Sequence, residues 1–207
     1  MVEQKIKTTS VILSQNTTIM RELEKYVQEN FPDELEKVRR NFANEFPRLT
    51  DAEKTIIYKY SDDDFTFVGV NKTLRNSEGL NVSEFAKYLN FALSKLPKTK
   101  GITTFRGVYK SDIDFDKLVY AHESGTLWTD YGFFSTSHNR IIADGCGDLI
   151  FIVFGKNGKA IEKISKFGAG NFDNEEEVLF KSGTLFKVLD ISTRRNQTII
   201  KLREFRT

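Results

Sequence analysis

The sequence predicts an α+β protein in which an N-terminal helical half packs on a mostly antiparallel β-sandwich core. Two observations predict this class. Apolar residues recur at helical spacing as far as about residue 100, and they alternate with polar residues after Gly101. Helices therefore come first and strands second, without the βαβ alternation that is typical of parallel sheets. We expect residues 1–207 to form a single domain, with a helical part at 1–100 and a β core at 101–207.

The helical part opens with a short mixed segment, in which Ser10-Val11-Ile12-Leu13 predicts a strand. Pro47 is expected to end the second helix, and Thr50 with Glu53 forms a capping box for the third. The fourth helix carries Asn71 and Arg75. Start signals predict helices that begin near Asn16, Pro32, Thr50, the segment Ser61–Asp64, and Ser83.

The β core is predicted from alternating apolar segments that are separated by polar or glycine-containing turns. The last two segments are joined by a short polar turn, which predicts a hairpin. The predicted strands are Thr103–Tyr109, Gly132–Thr136, Leu149–Phe154, Lys159–Ile164, Glu177–Phe180, Thr184–Ile191 and Thr198–Phe205.

Composition excludes several classes of function. The net charge is +2, from 31 basic and 29 acidic residues, so there is no bulk field to attract nucleic acid or an anionic membrane. The lone Cys146 excludes an internal disulfide, and with only two histidines we expect no metal centre. No apolar run is long enough for a membrane span, and the N-terminus lacks a secretory signal. If the protein leaves its cell, we expect it to do so by a route not encoded here, or to have been cut from a longer chain.

Two polar clusters interrupt the predicted strands. Arg106 is a lone charge inside a strand, followed directly by Gly107. A guanidinium suits a phosphate group, and a glycine would allow a ligand to approach the backbone, although an edge-strand arginine facing solvent is the commoner case. The second cluster is Ser135-Thr136-Ser137, which follows two phenylalanines. A serine hydrolase fits poorly, because no histidine–carboxylate pair is arranged to activate these hydroxyls.

The third cluster is Glu175-Glu176-Glu177, directly before the apolar run of a predicted buried strand. Strand alternation would place Glu175 and Glu177 on one side, where two like charges are costly unless they are used. A solvated acidic loop is the alternative interpretation. The glycine-containing loop 165–173, with two aromatic residues, is a plausible place to recognise a substrate.

The order Arg, Ser-Thr-Ser, Glu-x-Glu-Val-Leu-Phe resembles the arginine–serine–glutamate class of mono-ADP-ribosyltransferases. This class includes clostridial binary-toxin enzymatic subunits, Rho-modifying exoenzymes and vertebrate ecto-transferases. Residues 49–60, 71–75 and 92–97 resemble the helical lead-in of the bacterial toxin branch, so the resemblance covers about the last three quarters of the chain.

The resemblance implies NAD as co-substrate and no metal. Arg106 would hold the NAD diphosphate, and the Gly107 backbone would accept the nicotinamide amide. Ser135 would orient the catalytic glutamate, with Thr136 and Ser137 supporting the strand end. Weaker correspondences add further NAD ligands in the lead-in and after Ser-Thr-Ser, namely Asn71, Arg75 and Arg140. Relatives usually place an aromatic residue and an arginine soon after Ser-Thr-Ser, and here Arg140 is the only basic candidate.

Glu177 would be the catalytic carboxylate that stabilises the oxocarbenium-like transition state. Glu175 would favour an arginine acceptor, because a guanidinium must lose a proton before it attacks. Asn171 and Phe172, in the preceding loop, would contact the target protein. Together these residues imply an arginine-specific toxin or effector that is secreted or injected and acts in the cytosol.

Actin or a small GTPase would be the target by resemblance, and a separate delivery component or an immunity protein would be further partners. The alternatives are an NAD glycohydrolase, a non-catalytic binding module of the same fold, and the inactive N-terminal repeat of a two-domain toxin. A transferase that modifies nucleic acid is disfavoured by the near-neutral charge and by the Glu at position 175.

Overall fold

Within the described residues, five helices precede the first strand, as predicted, and two more helices lie among the strands. A computed structural model describes residues 2–62, 66–99, 101–168, 174–194 and 196–205, with side chains from residue 15 onward. The helices are α1 (Val2–Asn30), α2 (Pro32–Asn41), α3 (Asp51–Tyr60), α4 (Thr66–Asn76), α5 (Glu84–Lys95), α6 (Phe115–Ser124) and α7 (Arg140–Asp144). The strands are β1 (Ile102–Val108), β2 (Leu127–Asp130), β3 (Phe134–Ser137), β4 (Leu149–Gly155), β5 (Lys159–Ala160), β6 (Glu177–Phe180), β7 (Thr184–Arg194) and β8 (Gln197–Glu204).

Helix α3 is the central element of the helical half, because nearly all of its residues are buried. Its start is fixed by the predicted capping box: Thr50 N donates to Glu53 Oε2 at 2.9 Å, and Glu53 N donates to Thr50 Oγ1 at 3.3 Å. The predicted cap of α5 is also confirmed, since Ser83 Oγ accepts from Ala86 N. These caps fix where the chain enters the helices that back the sheet.

Two predictions for the N-terminal region are wrong. Residues 10–13 continue α1 and form no strand, because a four-residue apolar run does not distinguish a strand from part of a longer helix. Helix α2 ends at Asn41 instead of continuing to Pro47. Phe42 and Phe46 nevertheless pack against the helical core, so their apolar spacing reflects burial and not a continued helix.

The strands form one hydrogen-bonded sheet in the order β2-β7-β8-β4-β1-β3-β6-β5. All neighbouring pairs are antiparallel except β4 and β8, which confirms the mostly antiparallel core. Strands β1 and β3 share a single residue pair, Phe105 with Ser137. The sheet is therefore nearly divided there, and its two parts face each other across a shared apolar cluster that includes Phe134, Phe151 and Phe180.

Sequence patterns missed or overextended four elements of the β half. The sequence patterns predict neither helix α6 nor strand β2, and α7, with five residues, is too short to show a helical period. Strand β5 stops at Ala160 instead of Ile164. Ile161 and Ile164 are buried against the helical core from a turn, which explains why they resemble a strand in the sequence.

The β3–β6 pair separates two apolar clusters. Phe133 and Leu179 pack with the helices, whereas Phe134, Val178 and Phe180 pack inside the folded sheet. Alternation along β6 therefore directs Glu177 toward the helical half, together with Leu179. Within the described residues, none of the helices is long and apolar enough to cross a membrane.

Candidate active site

A pocket of about 570 Å³ opens between the helical half and the sheet, where β1 and β3 separate. Its walls come from the end of α3, from α4, β1, β3 and α7, and from the start of β6. The volume lies in the range of small-molecule and cofactor sites, roughly 300–1,000 Å³. It contains most of the candidate residues, including Arg106, Ser135 and Glu177.

Glu177 is the most tightly held group in the pocket. Its side chain is buried, and the residue is 5% exposed. Ser135 Oγ donates to Oε1 at 2.7 Å, and Ser165 Oγ donates to Oε2 at 3.3 Å. Burial, with a smaller contribution from the charge of Glu175, raises the pKa of Glu177 to about 7, although both serine hydroxyls oppose that shift. The carboxylate is thus fixed in orientation, and its pKa lies near physiological pH, so its neutral and ionised forms are both populated there.

Arg106 bridges the gap between the diverging strands. Its Nη1 donates to the Ser135 carbonyl oxygen at 2.9 Å, and its guanidinium lies 5.0 Å from the centre of the Phe134 ring. Burial lowers the pKa of the guanidinium, and the charge of Asp130 opposes that shift. A half-buried cation without a direct carboxylate partner among the described residues is suited to bind an anionic ligand.

Glu175 reaches the same pocket as Glu177, but not by strand alternation. Strand β6 begins at Glu177, and Glu176 adopts the left-handed conformation with φ 46°. The Glu175 carbonyl accepts from Ser137 Oγ at 2.6 Å, and its N–H donates to the Phe167 carbonyl at 2.9 Å. The two carboxylates therefore line one wall of the pocket because a local backbone turn precedes the strand.

The other two hydroxyls of Ser-Thr-Ser bind backbone atoms. Thr136 Oγ1 donates to the Val178 carbonyl at 2.8 Å, and Ser137 Oγ also accepts from Asn139 N at 2.8 Å. These bonds join β3 to β6 and to the start of α7.

The structure explains why position 107 is a glycine, which the sequence alone did not reveal. A Cβ at this position would lie 2.0 Å from the Ala143 carbonyl oxygen and 2.9 Å from Cys146 Cβ. The glycine therefore allows α7 to pack directly against β1 and to form one wall of the pocket.

Asn71 and Arg75 are held by protein contacts. Asn71 Nδ2 donates to Tyr60 Oη at 2.9 Å, and its Oδ1 accepts from Phe133 N at 2.7 Å. Arg75 forms a bidentate pair with buried Asp130, at 2.8 and 2.9 Å. Burial acts to lower the pKa of Arg75, but its bonds to Asp130 outweigh that effect and raise it. The predicted NAD contacts of both residues stay predictions.

The remaining candidates lie outside the pocket or outside the described residues. Arg140 begins α7, bonds to Asp144 at 3.4 Å and lies 5.9 Å from the Phe105 ring, which itself lines the pocket. Asn171 and Phe172 fall in the part of the loop that the structure does not describe.

Sequence reasoning missed two residues of the site. Tyr60, at the end of α3, lines the pocket, and burial raises the pKa of its hydroxyl. Ser165 bonds to Glu177, and its position is secured by Lys166, whose N–H donates to Ser61 Oγ at 2.9 Å and whose ammonium pairs with Asp62 at 2.8 Å. In the sequence, the only sign of the contact between Ser165 and Glu177 is that polar residues begin the loop 165–173 before the Glu-x-Glu motif.

Solved structures with this fold include bacterial toxins and effectors. Exoenzyme S from Pseudomonas aeruginosa, in complex with human 14-3-3 protein beta and bound to carba-NAD, is 24% identical with a TM-score of 0.71, over 89% of this chain and 88% of that one. HopU1 of Pseudomonas syringae pv. Tomato is 20% identical with a TM-score of 0.71, over 84% and 87%. The Clostridium limosum C3 exoenzyme is 20% identical with a TM-score of 0.59, over 83% and 95%.

No curated protein matches the sequence significantly. The family described as ADP-ribosyltransferase exoenzyme, in contrast, matches residues 21–205, which is most of the chain and includes all the polar clusters of the pocket. Together with the fold, this match shows that the chain belongs to the ADP-ribosyltransferase exoenzyme family, whose co-substrate is NAD.

Proposed function

We propose that this protein transfers ADP-ribose from NAD to an arginine side chain of a target protein. The observation that carries the proposal is the pair of carboxylates in one pocket, with Glu177 fixed by two hydroxyls and Glu175 on the same wall. NAD brings a diphosphate, two riboses and a cationic nicotinamide ring. The pocket offers the Arg106 guanidinium, carboxylates and the aromatic rings of Tyr60 and Phe105, so its chemistry fits these groups.

Glu177 would act on the nicotinamide ribose. NAD supplies a glycosidic bond whose electrons leave with nicotinamide, and positive charge develops at the anomeric carbon. A carboxylate that is already oriented stabilises that charge without reorganisation in the transition state. Ser135 and Ser165 would keep Glu177 in place, and bonding by both hydroxyls favours its ionised form.

Glu175 would serve the acceptor. An arginine guanidinium is charged in water and must lose a proton as its nitrogen forms the new bond to the anomeric carbon. A carboxylate two residues from Glu177, on the same wall, can orient the guanidinium and accept that proton. The backbone bonds of Glu175 to Ser137 and Phe167 support this role, because they hold it against the pocket.

The remaining candidates have binding and supporting roles in this proposal. Arg106 holds the diphosphate, and the Gly107 backbone accepts the nicotinamide amide. Thr136 and Ser137 secure the strand end. Further phosphate or ribose contacts are proposed for three residues at or beyond the edge of the pocket, namely Asn71, Arg75 and Arg140.

The proposed target is a protein of a host cell that the enzyme enters as a secreted or injected toxin. Actin and small GTPases are the proposed classes of target, and Asn171 and Phe172 would contact it. Complex formation with human 14-3-3 protein beta is a property of exoenzyme S. A separate delivery component and an immunity protein remain proposed partners.

NAD hydrolysis is a second candidate function. The two hydrogen bonds that hold the Glu177 carboxylate come from the Ser135 and Ser165 hydroxyls, and Glu175 takes no part in either. The machinery that cleaves the glycosidic bond therefore does not depend on the acceptor carboxylate, and water could take the place of arginine.

The test uses labelled NAD with eukaryotic and bacterial lysates, and agmatine as a free guanidino acceptor. It compares the parent chain with Glu177→Gln, Glu175→Gln and the matched control Glu176→Gln, whose side chain does not line the pocket. Nicotinamide release and transfer to acceptor are measured separately. We expect Glu177→Gln to lose both activities, Glu175→Gln to lose transfer only, and Glu176→Gln to keep both.

Transfer that survives Glu175→Gln would contradict the acceptor role. Nicotinamide release from the parent without any labelled protein or agmatine would favour hydrolysis. A parent chain that neither releases nicotinamide nor labels protein would favour the non-catalytic binding module.

A further inference from the structure

A second pocket lies at the opposite end of β6, away from Glu177. Its volume is about 340 Å³, and three lysines line it: Lys98, Lys159 and Lys181. Lys159 and Lys181 belong to the β5–β6 corner, where Lys159 pairs with Leu179 and Lys181 follows the strand directly. Lysines that lie this close together repel one another, and an anion between them would relieve that repulsion.

Lys159 is the unusual member of this lysine pocket, because it is only 4% exposed. Its ammonium donates to the Leu96 carbonyl at 2.5 Å, and no carboxylate of the described chain pairs with it. Burial lowers its pKa to about 8, the charges of Lys181 and Lys98 add to that effect, and the charge of Glu204 opposes it. A buried ammonium with one carbonyl partner retains two donor hydrogens, and leaving it without a counter-charge is costly.

The surrounding chain holds the other lysines close to Lys159. Thr99 N and Thr99 Oγ1 both donate to the Gly158 carbonyl, at 3.0 and 2.5 Å, which ties the segment carrying Lys98 to the residue before Lys159. Lys181 is half-buried, and burial together with the charge of Lys98 lowers its pKa. The backbone therefore places all three lysines around this pocket.

One carboxylate, Glu204, also lines the pocket, but its oxygens are already used. Oε2 accepts from the N–H groups of Lys156 and Asn157, at 2.6 and 2.9 Å, and Oε1 accepts from Asn157 Nδ2 at 2.7 Å. Among the described residues, three lysines thus line a pocket that contains a single carboxylate, and that carboxylate closes a turn. On the other side, the Ser182 hydroxyl accepts from Asn90 Nδ2 at 2.6 Å, which leaves its own hydrogen to donate to a ligand.

We propose that the lysine pocket binds a small ligand bearing multiply charged phosphate groups, at a site separate from the catalytic pocket. Several ammonium groups and a hydroxyl around a space of this size match the charge and the many acceptor oxygens of such a ligand. The same chemistry occurs in free polyphosphates and in phosphoinositide headgroups. This inference does not depend on the proposed acceptor or on catalysis.

The test measures binding of inorganic pyrophosphate to the full chain by isothermal titration calorimetry. The variants are Lys159→Met, Lys181→Gln and the double variant Lys98→Gln/Lys181→Gln. Lys187→Gln is the matched control, because Lys187 is an exposed strand lysine that does not line the pocket. Arg106→Gln reports any binding of pyrophosphate in the catalytic pocket. Circular dichroism establishes that each variant is folded.

We expect Lys187→Gln to bind pyrophosphate within about twofold of the parent, and binding to weaken as salt is added. Any binding that is lost in Arg106→Gln belongs to the catalytic pocket, and the remainder should persist in that variant. The double variant should lose at least about tenfold in affinity, since two charge-assisted contacts are removed. Lys181→Gln and the double variant keep the test decisive if Lys159→Met does not fold.

A second arm measures co-sedimentation with vesicles that contain phosphatidylinositol 4-phosphate. Binding that depends on the lysines in the first arm alone identifies a soluble ligand, and binding in the vesicle arm alone identifies a lipid headgroup. Absence of binding in both arms overturns the proposal. Loss of pyrophosphate binding in Arg106→Gln with retention in the double lysine variant also overturns it.

Discussion

The Ser135 hydroxyl donates a 2.7 Å hydrogen bond to Glu177 Oε1, although the direct strand partner of Glu177 is Ser137. The bond is therefore diagonal across β3 and β6, and it keeps the carboxylate turned into the pocket. It favours the ionised form of Glu177 against burial, which favours the neutral form. This opposition between one hydrogen bond and desolvation determines how the site responds to pH.

The rate of NAD cleavage should follow the ionisation of Glu177. The proposed role of Glu177 requires its ionised form, and its pKa in the free protein is about 7. We therefore expect kcat/KM for nicotinamide release to rise with pH, to be half-maximal near pH 7 and to level off at higher pH. The measurement is a pH series with constant ionic strength. A profile that is flat between pH 5.5 and 8.5 would contradict this assignment.

Removal of the serine hydroxyls should move that profile to higher pH. Ser135→Ala removes a bond that lowers the pKa of Glu177, so we expect its midpoint to rise by about one pH unit. Ser165→Ala should cause a smaller rise, because its bond is 3.3 Å long. Rates compared on the high-pH plateau separate this titration effect from loss of positioning, and unchanged midpoints in both variants would contradict it.

Ionisation of Glu177 should cost folding free energy. Its folded-state pKa is raised above the ordinary value of 4.5, so its neutral form favours folding at low pH and that contribution is lost as pH rises through about 7. Glu177→Gln stays neutral. We expect its stability relative to the parent to improve by about 2–3 kcal/mol between pH 5 and pH 8. Urea denaturation at both pH values measures this difference, and Glu176→Gln is the control, for which no such change is expected.

Gly107→Ala should disturb the wall of the catalytic pocket. The new methyl group would meet the Ala143 carbonyl at 2.0 Å, so α7 must move away from β1. We expect a loss of about 1–3 kcal/mol in unfolding free energy, together with a raised KM for NAD. The control is Gly69→Ala in α4, where nothing lies within 4 Å of the added methyl group and a gain of about 0.5–1 kcal/mol is expected. Equal effects of the two substitutions would contradict the packing explanation.

The Arg75–Asp130 pair should contribute to stability. Asp130 is buried, and Arg75→Met would leave its carboxylate with one hydrogen bond among the described residues, from the Gly132 N–H. We expect a loss of about 2 kcal/mol, discounted because the Arg75 side chain is partly exposed. A double-mutant cycle with Asp130→Asn measures the coupling. Additive effects would show that the pair is not the source of the loss, and the KM for NAD in Arg75→Met tests the predicted NAD contact.

Strong local signals in the sequence predicted much of the fold and the placement of the main site residues. The capping box at Thr50 and Glu53 fixes the start of α3 through contacts within four residues, so it can be read directly. The apolar run after Glu177 forms β6 with the predicted bounds. Arg106, Ser135 and Glu177 lie in one pocket because each occupies a neighbouring part of the sheet around the separation of β1 and β3.

Features that depend on distant contacts could not be predicted in this way. The need for glycine at position 107 comes from α7, a five-residue helix without a readable period. The ion pair of Arg75 could not be predicted, because its partner Asp130 lies 55 residues away in a strand that the sequence pattern did not reveal. The predicted contact of Arg75 with NAD stays a prediction. Strand alternation predicts that Glu175 and Glu177 lie on one side, and both do line the pocket. The cause is a different one, because Glu176 adopts a left-handed conformation and Glu175 precedes the strand.

The single residue pair between β1 and β3 also has a consequence for ligand entry. Because the edges of β1 and β3 are already apart in the cleft, a ligand can enter without breaking hydrogen bonds between the strands. At this seam the Arg106 side chain replaces the missing ladder bonds, through its donation to the Ser135 carbonyl. An anion that pulls the guanidinium away from β3 therefore competes with the Ser135 carbonyl for Arg106 Nη1. The strength of the bond between Nη1 and that carbonyl then contributes to the affinity of the pocket for the anion.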